Sequence, residues 1–112
     1  MKSINKVILI GHLGGKPEGR DTQTGISTAS FSLATNEVWV DGNKQKHEHT
    51  EWHYIVAWNK LADFVTQYLD KGHYVYLEGS IKTRTWKDQN NERKKITEIV
   101  ATQIVSLEKN KL

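Results

Sequence analysis

Residues 50–86 read TEWHYIVAWNKLADFVTQYLDKGHYVYLEGSIKTRTW, and the spacing of their apolar side chains changes twice. Residues 50–58 alternate with a period of two, which predicts a strand. Residues 61–69 carry apolar side chains at helical spacing, which predicts a helix. Residues 73–86 return to a period of two. A strand, a helix and a second strand are therefore expected to follow one another directly.

The faces and ends of these three elements can also be assigned. Asn59 is the expected N-cap of the helix, and Gly72 is its expected stop. In the first strand, Ile55 and Ala57 take the inward face, opposite a row of aromatic residues. The inward residues of the second strand are Val75, Leu77, Gly79 and Ile81.

Further strands are predicted on both sides of this unit. Residues 4–10 are largely apolar, so that strand should be covered on both faces. Residues 26–40 alternate and lead into a turn at 41–43, and residues 95–107 supply the last strand. Residues 11–17 are expected to be a loop, whose glycines lack the spacing of a phosphate-binding loop.

The element order indicates an all-β fold with one helix. Five antiparallel strands that close into a barrel, with a helix between strands three and four, are the oligonucleotide-binding (OB) architecture. An open α+β sheet packed on one helix is the alternative, which the pattern alone does not exclude. We assign residues 1–107 to one OB domain and residues 108–112 to a short C-terminal end without an acidic tail.

Composition excludes several classes of protein. With 112 residues, 37% hydrophobic and 26% charged, the chain fits one ordinary globular domain rather than a disordered segment. No apolar run approaches the roughly 20 residues of a membrane span. Without cysteine there can be no disulfide, thiolate nucleophile or Cys-based zinc site. No targeting signal is visible, so we expect a cytoplasmic protein, associated with the nucleoid.

Positive charge is concentrated in one segment. Residues 82–95 hold six basic and two acidic side chains, a local charge of +4, whereas the rest of the chain sums to −1. Such an asymmetry is typical of a surface that meets a polyanion. A solvated hairpin kept soluble by lysines is the alternative.

The aromatic residues outnumber the places a small core offers. Trp52, Tyr54 and Trp58 share the outward face of their strand, and Trp86 shares a face with Lys82 and Arg84. Exposed rings beside basic side chains suit single-stranded nucleic acid, because bases stack on the rings while lysine and arginine contact phosphates. A protein–protein interface, an RNA-binding OB module and a core role for the rings are the competing interpretations.

Nothing in the sequence indicates catalysis or a cofactor. His47, His49 and His53 could place an alternating pair on one strand face, but no well-spaced third metal ligand accompanies them. No Ser-His-Asp arrangement or paired carboxylates stand beside a nucleophile. We therefore expect no enzyme, no metal and no cofactor.

Seven short blocks of the chain form a recognisable series. They are NKVILIG at 5–11, FSLAT at 31–35, TEWH at 50–53, KLA at 60–62, YLDKG at 68–72, VYLEG at 75–79 and TRTW at 83–86. These blocks, in this order, resemble the bacterial single-stranded DNA-binding proteins. The resemblance runs from about residue 4 to residue 105 and implies an OB-fold, a homotetramer, and roles in DNA replication, recombination and repair.

The resemblance also implies roles for single residues. His53 matches a subunit-interface position, and we expect Val7 and Leu9 in the same interface because their strand is apolar on both faces. Tyr54 stands where some relatives have arginine and could offer a further ring. The implied base-stacking residues are Trp39, Trp52, Trp58 and Trp86. The expected phosphate contacts are Lys6, Lys60, Lys71, Lys82, Arg84 and the neighbouring Lys87.

The end of the sequence departs from the family pattern. Family members usually continue into a flexible linker and an acidic tip that recruits other proteins, whereas residues 108–112 carry two lysines and one glutamate. We expect this chain to bind single-stranded DNA unaided. Partners that depend on the tip should be recruited only if the native protein has an acidic tail.

Overall fold

The computed structural model describes residues 2–109, so part of the C-terminal end assigned above, residues 110–112, lies outside the described residues. Residues 2–109 contain six strands and one helix. They are β1 Val7–Leu13, β2 Glu18–Asp21, β3 Ser27–Val40, β4 Lys46–Trp58, α1 Lys60–Tyr68, β5 Tyr74–Lys87 and β6 Arg93–Ser106.

Five long strands close into a barrel in the order β1-β5-β6-β4-β3, and β3 returns to β1. All neighbouring pairs are antiparallel except β4–β6, where Ile55 pairs with Ile99 and Val56 with Val100 in parallel. The short β2 pairs only with β3 and adds an edge strand outside the ring. The predicted OB barrel is confirmed, with α1 between its third and fourth long strands, and the open-sheet alternative is wrong.

The barrel is filled by aliphatic side chains from every long strand and from α1. Ala62 and Val65 project from the helix into this core, and Leu69 follows them. Closing the barrel around such side chains removes their apolar surface from water, which is the main favourable term in folding. The largest fully buried side chains are Leu13, Leu33, Ile55, Leu77, Val65 and Val75.

The strand β1 extends to Leu13, so the loop expected at residues 11–17 begins only after it. Gly11 is buried inside the strand, where a Cβ would overlap the carbonyl oxygen of Ala34 and lie 3.0 Å from its carbonyl carbon. Glycine is therefore needed at this position because β1 and β3 approach closely where the barrel closes.

The helix ends differ from those expected. Asn59 is the N-cap, but its side chain makes no capping hydrogen bond, and its backbone N–H donates to Ser27 O at 2.9 Å. The helix stops at Tyr68, with an extended Leu69 as its C-cap, rather than continuing to Lys71. Gly72 instead takes φ +86 in the following turn. Between residues 2 and 109 no helix is long and apolar enough to cross a membrane.

One side-chain direction needs correction, and the structure also shows which face of β1 is covered. Ile81, expected inward, is half exposed. β1 pairs with β5 only as far as Gly79, so β1 does not cover β5 at Ile81. On β1, Val7 packs against the core together with Leu9. The strand is thus exposed on one face only, at Ile8 and Ile10.

Candidate nucleic-acid interface

The outer face of β3 and β4 presents aromatic rings beside small side chains. Trp52, Tyr54 and Trp58 alternate along β4 and point away from the core, as expected. Their cross-strand partners on β3 are Ala34, Ser32 and Thr28, respectively. These small side chains cover little of a ring, so flat aromatic surface stays open.

All four tryptophans are between 44% and 59% exposed. A tryptophan that filled the core would be close to fully covered, as the aliphatic side chains inside this barrel are. Each indole therefore keeps an accessible face in the free protein. The two that lie off β4's outer row, Trp39 and Trp86, stand on the hairpins β3–β4 and β5–β6.

Two neighbouring clefts run along this face. The first, of about 390 Å³, lies between Trp52, Tyr54 and the segment after β1. The second, of about 370 Å³, lies between Tyr54, Trp58 and the strands β2 and β6. Tyr54 lines both clefts, so they form one continuous surface. We call it the ring groove, defined by Trp52, Tyr54, Trp58, Lys16, Glu18, Arg20 and Arg84.

The position of Trp52 is set by a glycine. A Cβ on Gly14 would overlap Cζ3 of the indole and lie 3.0 Å from its Cη2. The backbone of Gly14 is fixed by a hydrogen bond from its N–H to Ser32 O at 2.9 Å. The indole thus lies directly against main chain, and a side chain at this position would displace it.

A buried carboxylate orients Arg84 at the edge of the ring groove. Glu98 is 4% exposed and accepts hydrogen bonds from Nε of Arg84 at 2.9 Å and from Nη2 at 3.3 Å. This contact raises the pKa of Arg84 above its already high ordinary value. The guanidinium carbon lies 5.7 Å from the ring centroid of Trp86, within the range of a cation–π contact. Glu98 therefore positions Arg84, and Arg84 supports Trp86.

The ring of Trp39 is held by a second network. Asp41 Oδ1 accepts N–H bonds from Asn43 at 2.8 Å and Gln45 at 3.0 Å. Its Oδ2 lies 2.7 Å from Nε2 of His47, and this contact lowers the pKa of Asp41. His47 in turn stacks on Trp39, with centroids 5.4 Å apart and planes 20° apart. One face of Trp39 is thereby covered and the other stays open.

The basic side chains expected at phosphates fall into two groups. Lys6 and Arg84 are paired, the former at 3.2 Å from Glu78. The Tyr76 hydroxyl donates to Glu78 at 2.6 Å, and this bond together with the Lys6 ammonium lowers the pKa of Glu78. Among residues 2–109 the other four make no ion pair within 4.0 Å; they are Lys60, Lys71, Lys82 and Lys87.

Three charged residues of the ring groove were not predicted as site residues from the sequence. Lys16, Glu18 and Arg20 line the clefts from β2 and the segment before it. The four residues of β2 are all exposed and include no large apolar side chain, so no hydrophobic alternation could reveal the strand. The nearest signal was the alternation of charged side chains at these three positions.

The histidines have partners within the chain. His53 Nε2 lies 2.9 Å from the Thr35 hydroxyl, and His49 Nε2 lies 2.8 Å from Glu51. The His49 contact is the main cause of the lowered pKa of Glu51. Over the described range, no three His, Cys, Asp or Glu side chains gather as a metal site.

A family model, that of the single-strand binding protein family, matches residues 4–107. This chain belongs to that family. The single-stranded DNA-binding protein 1 of Chlorobaculum tepidum is 50% identical over 107 residues, which are 95% of this chain. The chain spans 66% of that relative's length.

Solved structures of single-strand binding proteins share the fold. The Plasmodium falciparum SSB complex with ssDNA has a TM-score of 0.86 and 39% identity, and the match covers 96% of this chain and 98% of that one. A deletion mutant of the single-stranded DNA binding protein from Thermus aquaticus has a TM-score of 0.81 and 28% identity. That match covers 94% of this chain and 51% of the other.

A second exposed surface of this family member is apolar. Ile8 and Ile10 of β1 lie opposite Glu78 and Tyr76 of β5, and Val105 of β6 continues the row beside Tyr76. Val7 and Leu9, on the opposite face of β1, are only partly buried against the barrel core. Their interface role stays a prediction, as does that of His53.

Proposed function

We propose that this protein binds single-stranded DNA with little sequence preference, by stacking bases on its exposed indoles. The observation that carries the proposal is the ring groove, in which Trp52, Tyr54 and Trp58 lie in one row with open faces. Stacking of a base on an aromatic side chain contributes about 1–3 kcal/mol and tolerates any base. Trp39 and Trp86 on the two hairpins would extend the path.

Charge supports a strand that runs along the groove. Lys16, Arg20 and Arg84 line it, and Lys82 stands on the same outer face of β5 as Arg84. Phosphates neutralised by these side chains would release counterions, so affinity should fall as salt rises. For single strands the slope is about −0.7 per phosphate neutralised.

The same features disfavour duplex DNA. Bases inside a duplex are stacked on one another and offer no free face to an indole. A helix is the usual reader of a major groove, and α1 instead packs Ala62 and Val65 into the barrel. We propose that binding proceeds without catalysis or cofactor and serves DNA replication, recombination and repair in the cytoplasm, at the nucleoid.

We further propose a homotetramer, assembled in part through the apolar face of β1 and β5. Ile8 and Ile10 are half exposed and adjacent, and such a patch favours contact with a second copy over contact with water. The three rings of the groove lie on another strand, β4, so assembly through Ile8 and Ile10 would leave them accessible. Proteins recruited through an acidic tail would be partners only of a native chain that carries one.

The proposal is tested by titrating tryptophan fluorescence with oligo(dT) at two salt concentrations, beside a sizing measurement. We expect quenching that saturates, an affinity that falls with salt, and a species four times the mass of one chain. The absence of quenching by any single strand would contradict the stacking proposal. A stronger response to oligo(U) RNA than to DNA would move the function to an RNA-binding OB module.

A further inference from the structure

The ring groove contains a carboxylate that a polyanion-binding surface does not need. Glu18 lines both clefts, and the register places it opposite Ser30 of β3 and, beyond it, Val56 of β4. Val56 lies between Tyr54 and Trp58 along β4. Glu18 is therefore in register with the space between the exposed rings of Tyr54 and Trp58. The β3 residue between Glu18 and Val56 is the small Ser30.

No side chain in the described part of the chain pairs with the Glu18 carboxylate. Between residues 2 and 109 it makes no ion pair within 4.0 Å and no side-chain hydrogen bond. Arg20, two residues along the same strand face, lies opposite Thr28 and leaves Glu18 unpaired. The other carboxylate of the second cleft, Glu98, differs because both of its oxygens bond Arg84.

A carboxylate accepts hydrogen bonds and donates none. Glutamate recognises cytosine through the exocyclic N4 amino group, and single-strand recognition in general uses such exposed base edges. A base stacked on Tyr54 or Trp58 would turn an edge toward β2. At ring position 4, on the major-groove side of the edge, cytosine would present its N4 donor to Glu18, whereas uracil or thymine would present the O4 acceptor.

We propose that Glu18 reads the edge of a stacked base and favours amino-bearing bases, cytosine in particular, over uracil and thymine. The inference rests on the proposed function and gives the groove a modest base preference at one position. Phosphates are repelled by the same charge, so Glu18 lowers overall affinity while it sharpens this choice. One net hydrogen bond corresponds to a preference of about 2- to 10-fold.

The test compares oligo(dC) with oligo(dU) of equal length, at pH 8, for the wild type and for Glu18→Ala. The bases of these two oligonucleotides differ only at ring positions 3 and 4, and both lack the thymine methyl group, so stacking is closely matched. We expect the ratio of Kd for dU to Kd for dC to fall by about 2- to 10-fold in Glu18→Ala. In Glu18→Gln the amide can accept from cytosine N4 or donate to uracil O4, so the ratio of the two Kd values should also fall toward that of Glu18→Ala.

Glu48→Ala is the matched control, because it also removes one exposed negative charge but lies on the β3–β4 hairpin, paired at 3.7 Å with Lys46. For Glu48→Ala, the ratio of Kd for dU to Kd for dC should equal that of the wild type. If Glu18→Ala binds both oligonucleotides with an unchanged ratio and a native circular dichroism spectrum, the inference is overturned while the proposed function stands. If the wild type binds neither, both are overturned.

Discussion

Replacing Gly14 by alanine should weaken single-strand binding without unfolding the barrel. The new methyl group would overlap Cζ3 of Trp52 and lie 3.0 Å from Cη2, whereas carbon atoms in ordinary contact are about 3.5–4.0 Å apart. The indole must therefore move by about 1 Å or tilt. The φ of Gly14 is not positive, so its backbone conformation accepts alanine.

The cost should appear in binding rather than in stability. A base stacked on one indole is worth about 1–3 kcal/mol, so complete loss of that stack would raise Kd by about 5- to 150-fold. Replacing glycine by alanine at a compatible position changes stability only slightly, typically by about 0.4–1 kcal/mol in the stabilising direction. Fluorescence titration with oligo(dT) and a thermal melt measure the two effects separately.

Gly15→Ala provides the control for this experiment. No heavy atom lies within 4 Å of a Cβ built there, so the same chemical change leaves Trp52 in place. We expect Gly15→Ala to bind like the wild type. Equal affinities for the Gly14 and Gly15 variants, with both melting like the wild type, would refute the assignment of Trp52 as a stacking surface.

Three further outcomes are expected. Trp86→Ala should lose about 1–3 kcal/mol of binding, and calorimetric unfolding should show a smaller loss than the roughly 3–5 kcal/mol of a core tryptophan; the reverse pattern would make Trp86 structural. Ile10→Glu should dissociate the assembly in light scattering while circular dichroism stays native, and an unchanged mass would exclude this face as the interface. The pKa of Asp41 lies below its ordinary 3.8, so its bond to His47 stabilises the fold above that pH and is lost as pH falls through the lowered pKa. Asp41→Asn should therefore lower the melting temperature at pH 7, and this effect should shrink progressively as the pH falls below 3.8, whereas an effect that does not change with pH would contradict the pairing.

The elements that face the core could be predicted because burial imposes a period on the sequence. Helical spacing over residues 61–69 between two alternating strands was sufficient to place α1 in the barrel order. The same alternation assigned Trp52 and Trp58 to the outer face, because Ile55 and Ala57 already occupied the inner one. These inferences needed only the local sequence.

Other features depend on contacts that no local pattern contains. The four residues of β2 are held by pairing with β3 and bury no side chain, so neither the strand nor Glu18 could be located from hydrophobic spacing. The run at residues 7–10 is apolar throughout, so its inner face could not be chosen before the barrel closed. The exposure of Ile81 likewise depends on where β1 begins.

Competition between single-stranded and duplex DNA tests the central claim most directly. A labelled oligonucleotide bound to the protein would be displaced with unlabelled single strand or with its duplex of equal length, at about 0.15 M salt. Only unstacked bases offer faces to the exposed indoles, so we predict displacement by the single strand at far lower concentration than by the duplex. Equal displacement by the two competitors would contradict stacking as the basis of binding and leave phosphate contacts as its sole source.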